Sequence, residues 1–383
     1  MRQLFHKSHG KPADSGGTWS DAHGWGQVNL PGTAMYSGDR MCRVGPHDGE
    51  CSVVIEASAP VRICDNGGWT DTWFGGPGRV LNIAVTPRVE VSIRTTVGPD
   101  PVVLDVHTFG DRYSIVPMAP RGARHPLLEA AIDAFPPPKG LAVEVTVRSG
   151  VPAGCGTGTS AAVAVALLGG LAALRREQRS PLDIAYAAHR LEVDILGVQS
   201  GIQDQLSAAF GGINYLEIEA YPEATVSPLP TWEELSPRLT LVFLGRAHDS
   251  SAVHRQVIED VGGQGSGVFS RLRVAAVAAR DAVLARDLDA FGQAMIANTG
   301  AQGSLHPGLV GVDARRVIDC AAAQGAIGWK VNGAGGDGGS VTILSATRKT
   351  KEAFEDRVSV LDRRYRVLPI QISPVGLEVR GAL

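Results

Sequence analysis

The sequence predicts an α+β protein in two lobes. Three observations predict it. The chain has 383 residues, too many for one ordinary core. Strand-like and helix-like runs occur on both sides of a Pro-, Ser-, Thr- and Glu-rich stretch at 221–238, which reads as a connection. The hydrophobic fraction of 44% is enough to bury sizeable cores. The expected division is an irregular extension over 1–52, an N-terminal lobe over 53–225 and a C-terminal lobe over 235–383.

The elements follow from the pattern. Residues 1–52 are rich in Gly, His, Ser and Asp, with no aliphatic period. SVVIEASAPVRIC (52–64), VLNIAV (80–85) and VEVSIR (89–94) are β-branched and read as strands. LAVEVTVR (141–148) alternates, with Val143, Val145 and Val147 on one face and Glu144, Thr146 and Arg148 on the other, a half-buried strand. A helix is expected over about 159–176. It is apolar along its length and so buried, with Arg175 and Arg176 where positive charge suits the dipole. Ser180-Pro181 offers an N-cap and a first-turn proline, and Gly197 ends that helix. Further on, LTLVFLG (239–245), SVTIL (340–344) and YRVLPIQI (365–372) read as strands, and 268–297 and 313–324 as helices.

Composition narrows the function. Net charge is −3 with no long Lys/Arg run, so no nucleic-acid partner is expected. No apolar stretch approaches the roughly 18 residues of a membrane span, and the first residues lack a signal-peptide core, so a cytoplasmic location is expected. Five scattered cysteines with no C-x-x-C pair suggest reduced thiols and no zinc site.

VPAGCGTGTSAA (151–162) places three glycines between a strand and a helix. The spacing is G-x-G-x-G, not the G-x-G-x-x-G of a dinucleotide fold, and some 150 residues precede it. A Walker loop needs Gly-Lys-Ser/Thr, and no lysine lies between Lys139 and Lys330. A different phosphate cradle remains, with backbone N–H groups and the helix N-terminus facing an anion. The duller reading is a turn that packs a helix on a strand. Two more glycine-rich stretches, DNGGWTDT (65–72) and KVNGAGGDGGS (330–340), weigh against it.

In APVRICDNGGWTDT, VPAGCGTGTSAA and NGAGGDGGS, taken in order over about 53–383, the chain resembles a GHMP-type small-molecule kinase. The GGWTDT form is most like the heptose 7-phosphate kinase and L-fucokinase branch. The resemblance implies a two-lobed GHMP-kinase-like fold and ATP with Mg²⁺. It implies a small-molecule sugar or sugar phosphate as acceptor, phosphorylated at its anomeric hydroxyl, and a monomer or homodimer. ATP would lie over Gly154, Gly156, Thr157, Gly158, Thr159 and Ser160, with Gly335 and Gly336 close by. Asp204 matches the family's catalytic aspartate, and Arg62 the arginine beside it. Ser160 and Glu192 match the magnesium ligands. Gly67, Gly68, Trp69, Asp71, Thr72 and Gln203 would hold the sugar.

Three departures stand out. Thr157 replaces the usual Leu, Thr159 the usual Ser, and Asp337 interrupts the third glycine run. A phosphorylated acceptor would need extra cations, for which Arg79, Arg88, Arg246 and Arg255 are candidates, and Ser250-Ser251 could touch ligand or cap a helix. Plainer readings stand beside these. Glu192 could pair with His189 on a helix surface, Asp204 and Asp71 could serve turns, and Trp73 could be packing. Two rival classes are a catalytically silent sugar sensor and a dinucleotide-dependent oxidoreductase.

Overall fold

Two β-sheets organise the chain in a computed structural model that describes residues 53–98, 101–247, 253, 255, 257–259 and 266–381. The expected extension over 1–52 and the Ser250-Ser251 pair lie outside the described residues. The first sheet has eight strands and contains β1 (Val53–Asn66), β2 (Gly78–Val97), β3 (Val102–Val106), β4 (Asp111–Ile115), β5 (Leu141–Ser149), β6 (Ile213–Ala220), β7 (Glu223–Leu229) and β12 (Glu378–Arg380). The second sheet has four strands in the order β11-β8-β10-β9, from β8 (Leu239–Phe243), β9 (Ala326–Val331), β10 (Ser340–Ser345) and β11 (Arg366–Leu368). The described residues belong to one compact unit.

β2 is one 20-residue strand where the sequence suggests two. Its first half pairs with β6 and its second half with β5, while β1 runs beside both. The β1 register slips between Pro60 and Val61, opposite Thr86 and Pro87. Pro87 has no N–H for the ladder, so the strand bulges there rather than ends.

The alternation at 141–148 is realised in β5, where Val143, Val145 and Val147 are buried and their neighbours lie at or near the surface. From β5 the chain enters the glycine loop and then α2 (Thr159–Leu174); α1 (Pro126–Ala134) precedes β5. α2 is buried nearly all round, which is why its composition shows no polar face. Burying a leucine such as Leu167, Leu168 or Leu171 contributes about 1.5–3 kcal/mol each. Gly169 and Gly170 let Leu377 and Ile93 approach the helix, since a Cβ on them would lie 2.8 Å and 2.9 Å from those side chains.

α3 (Pro181–Arg190) starts at the Ser180 N-cap that the sequence offers, and the structure adds a capping box between Ser180 and Asp183. A π-helical turn, Leu191–Ile195, extends it, and α4 (Gln203–Phe210) follows. The reading of 221–238 as pure connection missed β7, a strand on the free side of β6. Pro228 is tolerated there because, among the described residues, β7 pairs with β6 alone and lies at the sheet edge.

The single helix expected over 268–297 is two, α5 (Ser270–Ala285) and α6 (Leu288–Leu305). Arg286 takes a left-handed conformation and the Asp287 side chain caps the second helix. α7 (Val312–Ala323) and α8 (Arg348–Leu361) cover the second sheet, where Val242, Val317, Ile343 and Phe354 share a core. YRVLPIQI gives only the short β11, because beyond Leu368 the chain leaves β8, touches Val85 through a bridge at Ile372, and goes on to pair β12 with β1.

Candidate active site

A cleft of about 210 Å³ opens where the end of β1, the glycine loop, the 191–204 segment and the turn after β9 converge. Arg62 and Asp65 come from β1, Trp69, Asp71 and Thr72 from the turn after it, and Gly154, Gly156, Gly158, Thr159 and Ser160 from the loop. Glu192, Gln203 and Asp204 complete the wall with Gly333 and Ala334.

At its centre Arg62 holds Asp204 with two bonds, Nε to Oδ1 at 2.7 Å and Nη2 to Oδ2 at 3.0 Å. This is the planar fork that guanidinium and carboxylate share. Nη1 donates to the Gly156 carbonyl, and the Arg62 amide donates to the Thr157 carbonyl at 2.9 Å. Arg62 is 4% exposed. Burial alone would lower its pKa, but Asp204, Asp65 and Asp71 together raise it, so it stays charged. The Asp204 side chain keeps 24% exposure, toward the cleft.

Asp71 is buried beside this pair, and its Oδ2 accepts the Gln203 amide at 3.1 Å. Burial pushes its pKa up to about 7, with Asp204 adding to the rise and the Gln203 bond opposing it. Gly201 sits so close that any Cβ there would overlap the Asp71 carboxylate. Gln203 is tied in turn to Asn82, whose amide donates to its backbone and side-chain oxygens at 3.2 and 3.3 Å.

Glu192 does not form a surface pair with His189. His189 is buried against the Tyr221 hydroxyl at 2.7 Å, and Glu192 turns into the cleft. Its Oε2 accepts from Ser200 Oγ at 3.0 Å and from Gln205 Nε2 at 2.7 Å. Burial raises its pKa to about 7, with Asp204 adding to the rise, while hydroxyls of Ser200 and Ser160 and the Gln205 amide oppose it. A buried carboxylate beside a cleft-facing serine hydroxyl suits a hard cation that takes oxygen ligands.

The spacing of the glycine loop has a direct cause. Gly154, Gly156 and Gly158 have φ of 67°, 74° and 67°, so every second residue is left-handed. Backbones that alternate in this way turn successive N–H groups inward as an anion nest. Gly158 is the N-cap of α2, and no side chain caps that helix, which leaves its first-turn amides to the cleft. Thr157 is fully buried, and its hydroxyl lies 3.2 Å from that of Thr159.

The third glycine run reaches the cleft through Gly333 and Ala334. Gly335 and Gly336 stand off it. Gly335 packs on the Leu309 carbonyl, and the Gly336 amide donates to that same oxygen at 2.9 Å. Gly67 and Gly68 also serve packing. The Gly67 amide donates to Asn298 Oδ1 at 2.6 Å, and Gly68 abuts Asp65. Trp69 is buried at the cleft wall, whereas Trp73 is 56% exposed and donates to Gln199 Oε1 at 2.6 Å. Arg79 pairs with Glu217 and Glu219, and Arg88 with Glu378; neither lines the cleft, nor do Arg246 and Arg255.

The sequence reading assigned no role to Asp65, Lys330, Ser200 or Gln205. Asp65 opens the first glycine stretch and Lys330 the third, so position was the available signal. Their pairing joins residues 265 apart and could not be seen in the chain.

Residues 126–212, from α1 through the glycine loop to α4, match the family description "GHMP kinases N terminal domain". Over that stretch the chain is similar to a GHMP kinase N-terminal domain. Over 234 residues it is 29% identical to a mevalonate kinase of Pyrococcus horikoshii, covering 58% of this chain and 65% of that protein. It is 24% identical over 216 residues to a D-glycero-alpha-D-manno-heptose 7-phosphate kinase of Campylobacter jejuni, covering 55% and 64%. The chain therefore spans just under two thirds of the length of these two relatives. The crystal structure of Lactococcus lactis galactokinase complexed with galactose superposes with a TM-score of 0.68 at 18% identity, covering 85% of this chain and 95% of that one. The fold is the GHMP-kinase fold.

Proposed function

We propose that the chain is an ATP-dependent kinase that phosphorylates a sugar or sugar phosphate at its anomeric hydroxyl. One observation carries the reading: the Arg62–Asp204 fork faces a cleft walled by an amide-lined glycine loop, with the free side of the carboxylate toward solvent. In this reading the phosphates of ATP lie against the amides of 154–160 and the start of α2. Glu192 and Ser160 hold Mg²⁺, which supplies charge neutralisation for the transferring phosphoryl group.

Asp204 accepts the proton of the attacking hydroxyl, a role that contributes typically ~10²–10⁴-fold. Arg62 holds that carboxylate in place through its two-bond fork. Asp71, anchored by the Gln203 amide, receives an acceptor hydroxyl beside it. Trp69, Thr72 and Gln203 shape the acceptor end. Catalysis is positioning and electrostatics, with no covalent enzyme intermediate.

The test has two steps. Melting is followed with Mg-ATP and separately with NAD(H); stabilisation by NAD(H) alone would overturn the kinase reading. ADP release is then screened across heptose 7-phosphate, fucose, arabinose, galactose and mevalonate. Turnover with a sugar supports the reading, and turnover with mevalonate alone would displace the sugar assignment.

A further inference from the structure

Lys330 and Asp65 form an ion pair at 3.2 Å in which each side chain is 1% exposed. It links β9 of the second sheet to β1 of the first. Lys330 Nζ also donates to Gln302 Oε1 at 3.1 Å and to the Val331 carbonyl. Both Asp65 oxygens face the Gly333 amide, at 3.2 and 3.1 Å. Gly333 in turn sits on the glycine loop, where a Cβ would lie 2.8 Å from the Gly156 carbonyl. That carbonyl is the one that accepts Arg62 Nη1. A continuous line of contacts thus runs from Lys330 through Asp65 and Gly333 to Gly156, and on to Arg62 and Asp204.

Asp65 also shares the cleft with Arg62. Each side-chain nitrogen of Arg62 makes one bond, to Asp204 or to Gly156, and none of these bonds goes to Asp65 in spite of its proximity. A carboxylate so placed would compete with Asp204 for the guanidinium unless another cation neutralised it. Lys330 is that cation.

We propose, on the kinase reading of the same cleft, that the buried Asp65–Lys330 pair is a positioning device for phosphoryl transfer and not a stabilising one. It seats Gly333 on the glycine loop and reserves Arg62 for Asp204. Physical chemistry separates the two roles. Desolvation of a fully buried pair offsets its attraction, so exchange for apolar groups of similar shape is often neutral for stability. The fold holds this junction by other means as well. Asn332 Oδ1 accepts the Cys64 amide at 3.1 Å, and Asn332 Nδ2 donates to Ser340 and Thr342 hydroxyls at 3.0 and 2.9 Å.

The experiment compares the Asp65→Leu/Lys330→Met double variant and the Lys330→Met single variant with wild type. The double variant is expected to melt near wild type and to lose about 10²-fold in kcat, the scale of a small misplacement of reacting groups. KM for ATP and for the acceptor should change far less. Lys330→Met should turn over more slowly than the double variant, because it leaves Asp65 unpaired beside Arg62. Amide hydrogen exchange over 154–160 and at Gly333 should quicken in the double variant without a general loss of protection. A double variant with wild-type kcat and exchange overturns the proposal, and so does one that cannot fold, since the pair would then be structural. If wild type transfers phosphoryl to no acceptor, the kinase reading fails on its own. Exchange then judges the pair alone, and unchanged protection overturns it.

Discussion

Replacing Asp204 by Asn keeps the shape of the side chain and removes its charge. In wild type the carboxylate takes two Arg62 donors, at 2.7 and 3.0 Å. Asn offers one carbonyl oxygen, so one guanidinium N–H faces an amide that cannot accept it. Arg62 is 4% exposed, and that donor cannot turn to water. An unsatisfied buried donor costs about 1–3 kcal/mol. The charge itself is not stranded, because Asp65 and Asp71 remain nearby. The loss should therefore stay under the ~3–5 kcal/mol of a buried pair broken outright. For a domain of this size, that is a melting shift on the order of 5 °C. Turnover should fall far more. On the proposed reading, loss of the base removes ~10²–10⁴-fold, or about 2.7–5.5 kcal/mol of barrier, with KM for ATP little changed because the proposed nucleotide site is the glycine loop and not Asp204. Coupled ADP release and thermal melts on the same preparation read both quantities. A wild-type kcat would refute Asp204 as base. A variant that does not fold would refute the claim that the fork serves chemistry more than stability.

Other perturbations follow from the same geometry. Glu192 and Asp71 have pKa values raised to about 7 from 4.5 and 3.8, so the folded state binds more protons than the unfolded one in that window. The ligand-free protein should lose stability as pH rises from about 4 to about 7, and Glu192→Gln should flatten part of that slope; identical slopes in calorimetric melts would contradict the burial argument. Ser160→Ala should raise the Mg²⁺ concentration needed for half-maximal activity, and an unchanged requirement would move the cation elsewhere. In Gly158→Ala the new Cβ meets the Asp204 carboxyl carbon at 3.0 Å from a backbone with φ of 67°. The left-handed conformation alone costs about 1–2 kcal/mol, so both melting temperature and kcat should drop. Gly201→Ala drives a methyl into the Asp71 carboxylate; its effect should appear mainly in acceptor KM, and a change confined to ATP would place Asp71 wrongly.

By itself the sequence determined what is local. The period of two at 141–148 became β5, the Ser180-Pro181 start became a capped helix, and an apolar run with no polar face became the buried α2. The alternate glycines of 154–158 are legible for the same reason: a left-handed backbone at every second residue is a demand on single residues, and glycine meets it. Motif order also brought Arg62, Asp71, Glu192 and Asp204 forward as candidates before any geometry was in hand. Only the tertiary structure decided which groups share a charge environment. It set Arg62 on Asp204 across 142 residues and Asp65 on Lys330 across 265. It buried Glu192 away from His189, and it left Gly335 and Gly336 packed on Leu309 instead of facing the cleft. It joined two predicted strands into β2 and divided one predicted helix at Arg286. Local propensity is written in neighbouring residues. Burial, and the electrostatics that burial commands, depends on which distant segments the folded chain lays against one another.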